Sequence, residues 1–476
     1  MSTDLPSATG DLYARVLSSV LFPAFEAARG RPTVQLLDEL RQTQWWSTAA
    51  LRELQQRSLV RLIGHAATHT DYYRDLLERE RLTATDFHDR AALAALPVLD
   101  RHTARATLEE RTAVKPRWVV QKSSSGTTGE PVVVRYDAES RHWRDATKWR
   151  GYGWAGYRVG MRALHYWGTI PPPASPLHRW KIALDRRLKR DYYVDCIPRG
   201  DQALQLVVDE LRALRPHVIV AYASAAAALA RYVIDRRLRA WPAIPVVCGA
   251  ERLWPHERAA IVEAFGPAFE TYGCRELMMV GAECRHHDGL HVSMETMIVE
   301  IVVRRVDGSV RAAKPGELGE VAITDLHNLA SPMIRYLTGD LAIAREQTPC
   351  PCGRGLERIG PIEGRTTDAL RDHRGNPVSG LAFSILFAVL EPVVRAFQVV
   401  QRSDGRVVIK VVPLSGSGSA ARTLEEIHQF ARRYLAGLPV AIEQVSEIPL
   451  TAAGKRKLVL VEPPAIPMPE GTLDSG

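Results

Sequence analysis

Five short stretches combine residue types suited to handling a nucleotide. Ser123-Ser124-Ser125-Gly126-Thr127-Thr128-Gly129-Glu130-Pro131 packs hydroxyls and glycines together. Such a run lets the backbone approach an anion closely and offers O–H and N–H donors to phosphate oxygens. It lacks the Gly-Lys-Ser/Thr ending of a Walker loop. A flexible linker is the competing reading, and the β-prone segments flanking it closely argue against that. Tyr272-Gly273-Cys274-Arg275-Glu276 supplies a carboxylate suited to Mg²⁺ that bridges ATP phosphates. Arg335-Tyr336-Leu337-Thr338-Gly339-Asp340 puts Asp340 on a turn at a strand start, where a carboxylate can accept both hydroxyls of a ribose. Gly364-Arg365-Thr366-Thr367-Asp368 and Thr451-Ala452-Ala453-Gly454-Lys455 complete the set. Lys455, on a tight turn at Gly454, could reach a phosphate or carboxylate oxygen and neutralise developing charge. Taken singly, each stretch also reads as an ordinary turn or a solvated surface.

A second group of residues suits a metal. Cys284, His286, His287 and His291 lie close together, and Cys350-Pro351-Cys352-Gly353 follows. Soft thiolates with imidazole suit Zn²⁺ in a closed tetrahedral site. The expected set is Cys284, His291, Cys350 and Cys352, with His286 or His287 able to replace His291. Four protein ligands would make the site structural, pinning a β-rich subdomain. Buried free cysteines and surface histidines are the competing reading. Cys196, Cys248 and Cys274 read as packing residues.

Other signals point less far. Gly151-Tyr152-Gly153-Trp154-Ala155-Gly156 matches G-x-G-x-x-G, but it follows a helical Trp/Arg stretch rather than a strand and reads as a helix end. Trp143, Trp149, Trp154 and Trp167 could line a pocket for an aromatic acid, although such residues are more often core. His165, Tyr166 and Tyr222 are pocket candidates on position alone.

These residues need a sizeable scaffold, and 476 residues allow two or three domains. The hydrophobic and charged fractions, 46% and 24%, are those of a globular chain. The formal net charge is +8. The Arg residues read as scattered among acidic ones rather than gathered in a stripe with aromatics, which sets nucleic acid aside. The expectation is no membrane partner either, since the most apolar stretch, Val218 to Ile234, is too short and too Ala-rich for a comfortable span. The polar stretch Met1 to Thr9 lacks a signal pattern. Six cysteines in a chain this long do not make a disulfide scaffold. Together these features predict a cytoplasmic protein.

The predicted class is α/β: a large N-terminal domain with α/β sheets and a β-rich subdomain, then a small mobile α+β C-terminal domain. Residues 1–115 read as the helical N-terminal part of the large domain. Residues 116–366 read as its ligand-binding core, with the β-rich subdomain at about 285–355, where Val292 to Val303, Glu317 to Thr324 and Asp340 to Ala344 are strand-like. Val218 to Tyr222 and Pro245 to Val247 read as strands, and Ala225 to Arg239 and Pro255 to Phe265 as helices, which suggests a largely parallel sheet. Residues 367–462 read as a small lid domain, with strands Phe397 to Gln401 and Val407 to Val412 around an Asp404-Gly405 turn and a helix Thr423 to Leu435. Residues 463–476 read as a frayed tail.

In this order the five stretches resemble the adenylate-forming superfamily of acyl-CoA synthetases, peptide-synthetase adenylation domains and luciferases, over roughly residues 115 to 460. The branch they resemble is that of phenylacetate–CoA ligase. Gly249-Ala250-Glu251 resembles its adenine-contacting segment, and Leu214-Arg215-Pro216 leading into Val218 to Ser224 is similar too. The resemblance implies roles. Ser124, Ser125, Gly126, Thr127, Thr128 and Gly129 would close over ATP. Gly249, Ala250 and Glu251 would line the adenine pocket, beside Tyr272 and Gly273. Glu276 would hold Mg²⁺, Asp340 the ribose with help from Arg365, and Asp368 would be the hinge of the small domain. Lys455 would touch the carboxylate and the α-phosphate. Glu130 stands where the family often has Lys, and Arg275 where it usually has Thr or Ser; Arg275 could still contact the α-phosphate as a charged donor.

The implied activity is ATP-dependent activation of a carboxylic acid, aromatic or heteroaromatic by resemblance, to an acyl-AMP. A thiol of CoA or of an acyl carrier protein would then accept the acyl group. Transfer to an amine or hydroxyl, and a non-catalytic nucleotide-binding homologue, remain the alternatives. The acid and the oligomeric state are not readable from the sequence.

Overall fold

A computed structural model describes residues 11–113, 119–123, 132–168, 175–198, 200–305, 309–365, 370–371, 377–378, 394–413, 420–435, 438–449 and 459–462. The chain divides into two compact units, Met1–Ile362 and Glu363–Gly476. No helix among the described residues is long and apolar enough to cross a membrane.

The first unit opens with helices. Leu12–Val16 (α1) and Phe22–Ala28 (α2) flank a π-helical turn at Leu17–Leu21. Thr33–Thr43 (α3), Thr48–His69 (α4), Asp71–Glu80 (α5) and Arg101–Ala106 (α6) follow. The start of α4 is set by Ser47, whose hydroxyl accepts the Ala50 N–H and satisfies a donor the first turn leaves open. Leu51, Leu59, Leu62, Ile63 and Ala66 then fall on one buried face of α4. A two-stranded hairpin, Val120–Ser123 (β1) and Val133–Tyr136 (β2), brackets the hydroxyl-rich loop, whose residues 124–131 lie outside the described residues.

The central sheet collects Ala163–Trp167 (β3), Asp191–Asp195 (β4), Val218–Tyr222 (β5), Val246–Gly249 (β6), Ala268–Cys274 (β7), Met278–Ala282 (β8) and Leu290–Val292 (β9), in the spatial order β9-β8-β7-β6-β5-β3-β4. From β4 to β7 the neighbours are parallel; β7, β8 and β9 pair antiparallel. Every residue of β5 and β6 is buried, because helices cover both faces of a parallel sheet and its inner strands need apolar side chains on each. Alternation sorts them. Ile219 and Ala221 pack with Asp201–Leu214 (α9) and Ala223–Asp235 (α10). Val218 and Val220 face α3 and Ala138–Trp154 (α7). Pro176–Lys189 (α8) links β3 to β4, and Pro255–Ala264 (α11) leads into β7.

A second sheet holds Met297–Arg304 (β10), Val310–Ala312 (β11), Leu318–Asp325 (β12) and Tyr336–Ile343 (β13) as antiparallel neighbours in the order β11-β10-β12-β13. The expected strand Val292 to Val303 is in fact two. Its first residue ends β9, Ser293 to Thr296 turn, with the Thr296 hydroxyl donating to the Ser293 carbonyl at 3.1 Å, and β10 begins at Met297. Arg358–Ile359 (β14) pairs with β9 and adds an eighth strand to the central sheet. The expected β-rich stretch thus contributes to two sheets.

A buried ion pair ties the N-terminal helices to this body. Arg150 on α7 meets Glu295 at 2.6 Å with both side chains almost wholly buried. The Thr43 hydroxyl of α3 donates to the same carboxylate at 2.6 Å, and Arg150 also donates to the Leu40 carbonyl at 3.3 Å. Removing one partner leaves the other charge buried and unpaired, which costs about 3–5 kcal/mol. Arg150→Met is therefore expected to lower the thermal midpoint far more than the double variant Arg150→Met/Glu295→Leu, as read by differential scanning calorimetry. Equal destabilisation by both would remove the ion pair from this account.

In the second unit, Ile362–Arg365 (β15) crosses the boundary, and Leu370–Arg371 (β16) and Pro377–Val378 (β17) pair with each other. A four-stranded sheet has Val394–Gln401 (β18), Val407–Pro413 (β19), Val440–Gln444 (β20) and Val459–Val461 (β21) in the order β20-β19-β18-β21. The turn between β18 and β19 uses Gly405 at φ +84°, a left-handed conformation that costs glycine little. Ile427 and Ala431 of Ala420–Tyr434 (α12) pack on Val399, Ile409 and Val411.

Candidate active site

Ligands of open parallel sheets bind beyond the carboxyl ends of the strands. In this sheet those ends carry Trp167 on β3, Tyr222 on β5, Gly249 on β6 and Tyr272 near the end of β7. The Trp167 and Tyr222 rings meet edge to face with centroids 4.3 Å apart. A Cβ on Gly249 would lie 2.9 Å from the Thr271 hydroxyl and 3.5 Å from the Trp167 ring, so the backbone passes there only without a side chain. Ala250 takes φ +65°, and Glu251 accepts the Ser224 N–H at 3.0 Å. The same carboxylate contributes to raising Tyr222 above the ordinary phenol value, although burial is the larger cause. Gly249, Ala250, Glu251 and Tyr222 are therefore gathered at one place.

The second cluster lies where β7 meets the other sheet. The Tyr272 hydroxyl donates to Asp340 Oδ2 at 2.8 Å and lies 3.3 Å from the Thr338 hydroxyl, which accepts the Asp340 N–H at 3.1 Å. Asp340 is thus held in one orientation on β13. Burial, and then the Asp340 charge, push Tyr272 well above the usual phenol range, so it stays a donor. A side chain at Gly273 would collide with the Met278 backbone, which fixes how tightly β7 turns into β8.

Glu276 is buried, and its Oε1 accepts from Tyr336 at 3.4 Å and faces Arg101 at 3.5 Å. Its backbone carbonyl accepts from Arg144 at 2.7 Å, and Arg144 is itself paired with Asp325 at 2.7 Å. Arg275, next to it, is exposed. Cys274 sits near both carboxylates: burial, then the charges of Glu276 and Asp340, keep its thiol protonated. A bound Mg²⁺ finds one carboxylate here and would take its other ligands from phosphates and water, as that ion commonly does.

Some expected site residues sit elsewhere. Trp154 donates its indole N–H to Gln44 at 2.8 Å and meets the His291 ring edge to face with centroids 5.6 Å apart, so it walls the Cys/His cluster. His165 lies 3.3 Å from Asp191 and stacks on Tyr193. Tyr166 is fully buried in the core beneath α9 and α10. Ser124, Ser125, Gly126, Thr127, Thr128, Gly129, Asp368 and Lys455 lie outside the described residues. Arg365 belongs to the second unit, at the end of β15. Sequence reasoning assigned nothing to Tyr336, Thr338 or Arg101. The first two lie inside the stretch that carries Asp340; Arg101, from α6, left no local signal.

The metal-ligating group assembles. One donor atom each from Cys284, His291, Cys350 and Cys352 lies within 4.8 Å of the others. Cys284 Sγ and Cys350 Sγ are 3.7 Å apart, and Cys352 Sγ is 3.4 Å from His291 Nε2. Zinc–sulfur bonds of about 2.3 Å put tetrahedral ligand edges at about 3.8 Å, so the donor set fits that ion. His291 Nδ1 lies 3.2 Å from the Leu356 carbonyl; a proton on Nδ1 leaves Nε2 as the ligand atom. Burial holds His291 down at about 4, hence neutral, and pushes Cys284 up to about 12, helped by the neighbouring thiols. The burial that keeps Cys284 protonated is what a cation would offset. His287 instead lies 3.1 Å from Glu283, and His286 lies beside Arg285.

With this geometry in hand, comparison with known proteins is informative. The family profile of the CapK C-terminal domain matches residues 370–462. A phenylacetate-coenzyme A ligase of Thermus thermophilus is 29% identical over 368 residues, 75% of this chain and 79% of that protein. The phenylacetate-coenzyme A ligase of Pseudomonas putida is 26% identical over 441 residues, 87% of each chain. Among solved structures, a 2-hydroxyisobutyryl-CoA ligase in its postadenylation state, in complex with an acyl-AMP, superposes with a TM-score of 0.71 at 17% identity, over 89% of this chain and 92% of that one. The ordered stretches, the fold and these relatives agree: the chain is similar to adenylate-forming CoA ligases and, in sequence, to proteins named phenylacetate-coenzyme A ligase.

Proposed function

We propose that this chain is an AMP-forming acid–CoA ligase. The observation that carries the reading is the Asp340 carboxylate, oriented by Tyr272 and Thr338 beside Glu276, at the carboxyl edge of a parallel sheet. Relatives named phenylacetate-coenzyme A ligase support it. Asp340 binds the ribose hydroxyls with help from Arg365, and Gly249 to Glu251 lie along the adenine. Ser124 to Gly129 close over the phosphates. A bound Mg²⁺, held by Glu276, supplies charge neutralisation to the phosphates. A carboxylate oxygen of the acid attacks the α-phosphorus, and the bond to the pyrophosphate oxygen breaks. Lys455 stabilises the charge on the reacting oxygens. The small domain then turns about Asp368, and a thiolate attacks the acyl carbon and expels AMP. The acceptor thiol belongs to CoA or to a carrier protein. Trp167 and Tyr222 favour an aromatic or heteroaromatic acid. The Cys284, His291, Cys350 and Cys352 cluster holds a structural Zn²⁺.

Arg275, exposed where the family usually has a hydroxyl residue, keeps one alternative open: a homologue that binds ATP without activating an acid. Acid-dependent exchange of pyrophosphate into ATP separates the two. With Mg²⁺, no thiol and a panel of aryl, heteroaryl and aliphatic acids, exchange is expected with a subset of the aryl acids. ATP binding without exchange for any acid would favour the binding homologue.

A further inference from the structure

We propose that α8 and the N-terminal helical segment form a docking face for an anionic lipid surface, a property separate from the ligase chemistry. The case begins with an inverted helix. In α8, Leu177, Trp180, Leu184 and Leu188 recur at helical spacing and are 61%, 61%, 40% and 50% exposed. None of the helix's residues is buried, and the side turned to the protein carries Ile182 and Arg186 instead, Arg186 lying over the Tyr193 ring. An amphipathic helix on a globular body normally turns its apolar stripe inward. This one turns it outward, with exposed Lys181 on one side of the stripe and exposed Arg187 on the other.

The N-terminal segment extends the face. Leu12, Val16, Val20 and Leu21 are 65%, 40%, 58% and 51% exposed. Tyr13 donates to the Leu188 carbonyl at 2.7 Å, Arg190 pairs with Asp11 at 2.7 Å, and Arg190 lies over the Tyr13 ring, so the two segments are neighbours. Of sixteen large apolar side chains exposed among the described residues, twelve belong to these segments and to the adjoining β4. Apolar exposure gathered on neighbouring segments marks an interaction surface.

Charge decides the occupant. Residues 176–190 hold Arg179, Lys181, Arg186, Arg187, Lys189 and Arg190 against Asp185 alone, a net of +5 where the whole chain carries +8. Arg186 lies over Tyr193, Arg190 pairs with Asp11 and Lys189 with Asp185, and exposed Lys181 and Arg187 flank the apolar stripe on this basic segment. A second copy would bring this face against itself, like charge against like. A Trp/Leu stripe flanked by Lys and Arg on a helix about 21 Å long is the pattern of a helix lying in a membrane interface, with cations reaching anionic headgroups. The expectation of no membrane partner rests on the lack of a spanning stretch, and this surface contact departs from it.

The test is cosedimentation of the full chain with phosphatidylcholine vesicles and with vesicles of equal parts phosphatidylcholine and phosphatidylglycerol. Binding is expected to be at least about tenfold stronger to the anionic vesicles and to weaken as salt is raised. Trp180→Glu/Leu184→Glu should reduce it to the level seen with phosphatidylcholine alone. The same variant should keep its far-ultraviolet circular dichroism, thermal midpoint and pyrophosphate exchange, because α8 contributes nothing to the nucleotide cluster. Equal binding to both vesicle types would overturn the proposal. So would protein that stays in the supernatant with both, which would leave an acidic protein as the occupant. A wild-type dimer in sedimentation equilibrium that this variant dissolves would also overturn it, in favour of a second copy.

Discussion

Asp340→Ala is expected to raise KM for ATP about a hundredfold in acid-dependent pyrophosphate exchange, with a smaller change in kcat. Asp340 is 8% exposed, and Tyr272 and Thr338 already hold it by a phenol and a backbone contact. A carboxylate oriented in advance pays little to accept ribose hydroxyls, and charge-assisted hydrogen bonds of this kind contribute about 1.5–3 kcal/mol each. Losing them affects bound ATP and the transition state alike, so the loss falls on KM. Lys455→Ala should do the opposite. If Lys455 meets charge that develops only as the α-phosphorus is attacked, its loss lowers kcat by about 10²–10³ and leaves KM for ATP nearly unchanged. Initial-rate measurements across ATP concentrations separate the two outcomes. An Asp340→Ala enzyme with unchanged KM would take the ribose away from β13.

Cys350→Ser is expected to abolish zinc binding and to destabilise the large unit. Purified wild-type protein should hold one zinc per chain by atomic emission, and the variant none. The four donors come from two stretches, Cys284 and His291 on one and Cys350 and Cys352 on the other, with Cys284 and Cys350 66 positions apart, so the ion would tie the β8–β9 connection to the segment after β13. Without it, Cys284 and Cys350 are thiols with little else to do, and the segment around Gly353 loses its anchor. A structural zinc site contributes several kcal/mol, and a thermal midpoint lower by about 10 °C follows for a unit of this size. Wild-type protein treated with a chelator should match the variant, and added zinc should rescue only the former. Acid should also release the metal, because protons compete for thiolates. Purified wild-type protein that holds no zinc, or zinc-loaded wild-type protein with the same midpoint as the variant, would remove zinc from the structure.

Much of this was legible in the chain because it is local. Val218–Tyr222 is a run of apolar and β-prone residues too short for a helix, and it is a buried strand. The Asp404-Gly405 turn announces the hairpin it makes. Cys284, His291, Cys350 and Cys352 could be grouped because few residue types bind zinc and those types cluster. Other features were not legible, since no local pattern reports a distant neighbour. Arg101 and Glu276 approach each other across 175 positions, and Thr43 reaches Glu295 across 252. The break at Ser293 to Thr296 lies between two runs of strand-prone residues, and the split is decided by pairing with two different sheets. Periodicity groups the leucines and Trp180 of α8 on one side of a helix, yet it is blind to which way that side faces. The sequence by itself determined which residue types are available, their order and the elements they form. Only the tertiary structure decided which of them meet and which face is left to the outside, because packing is settled by contacts between residues far apart along the chain.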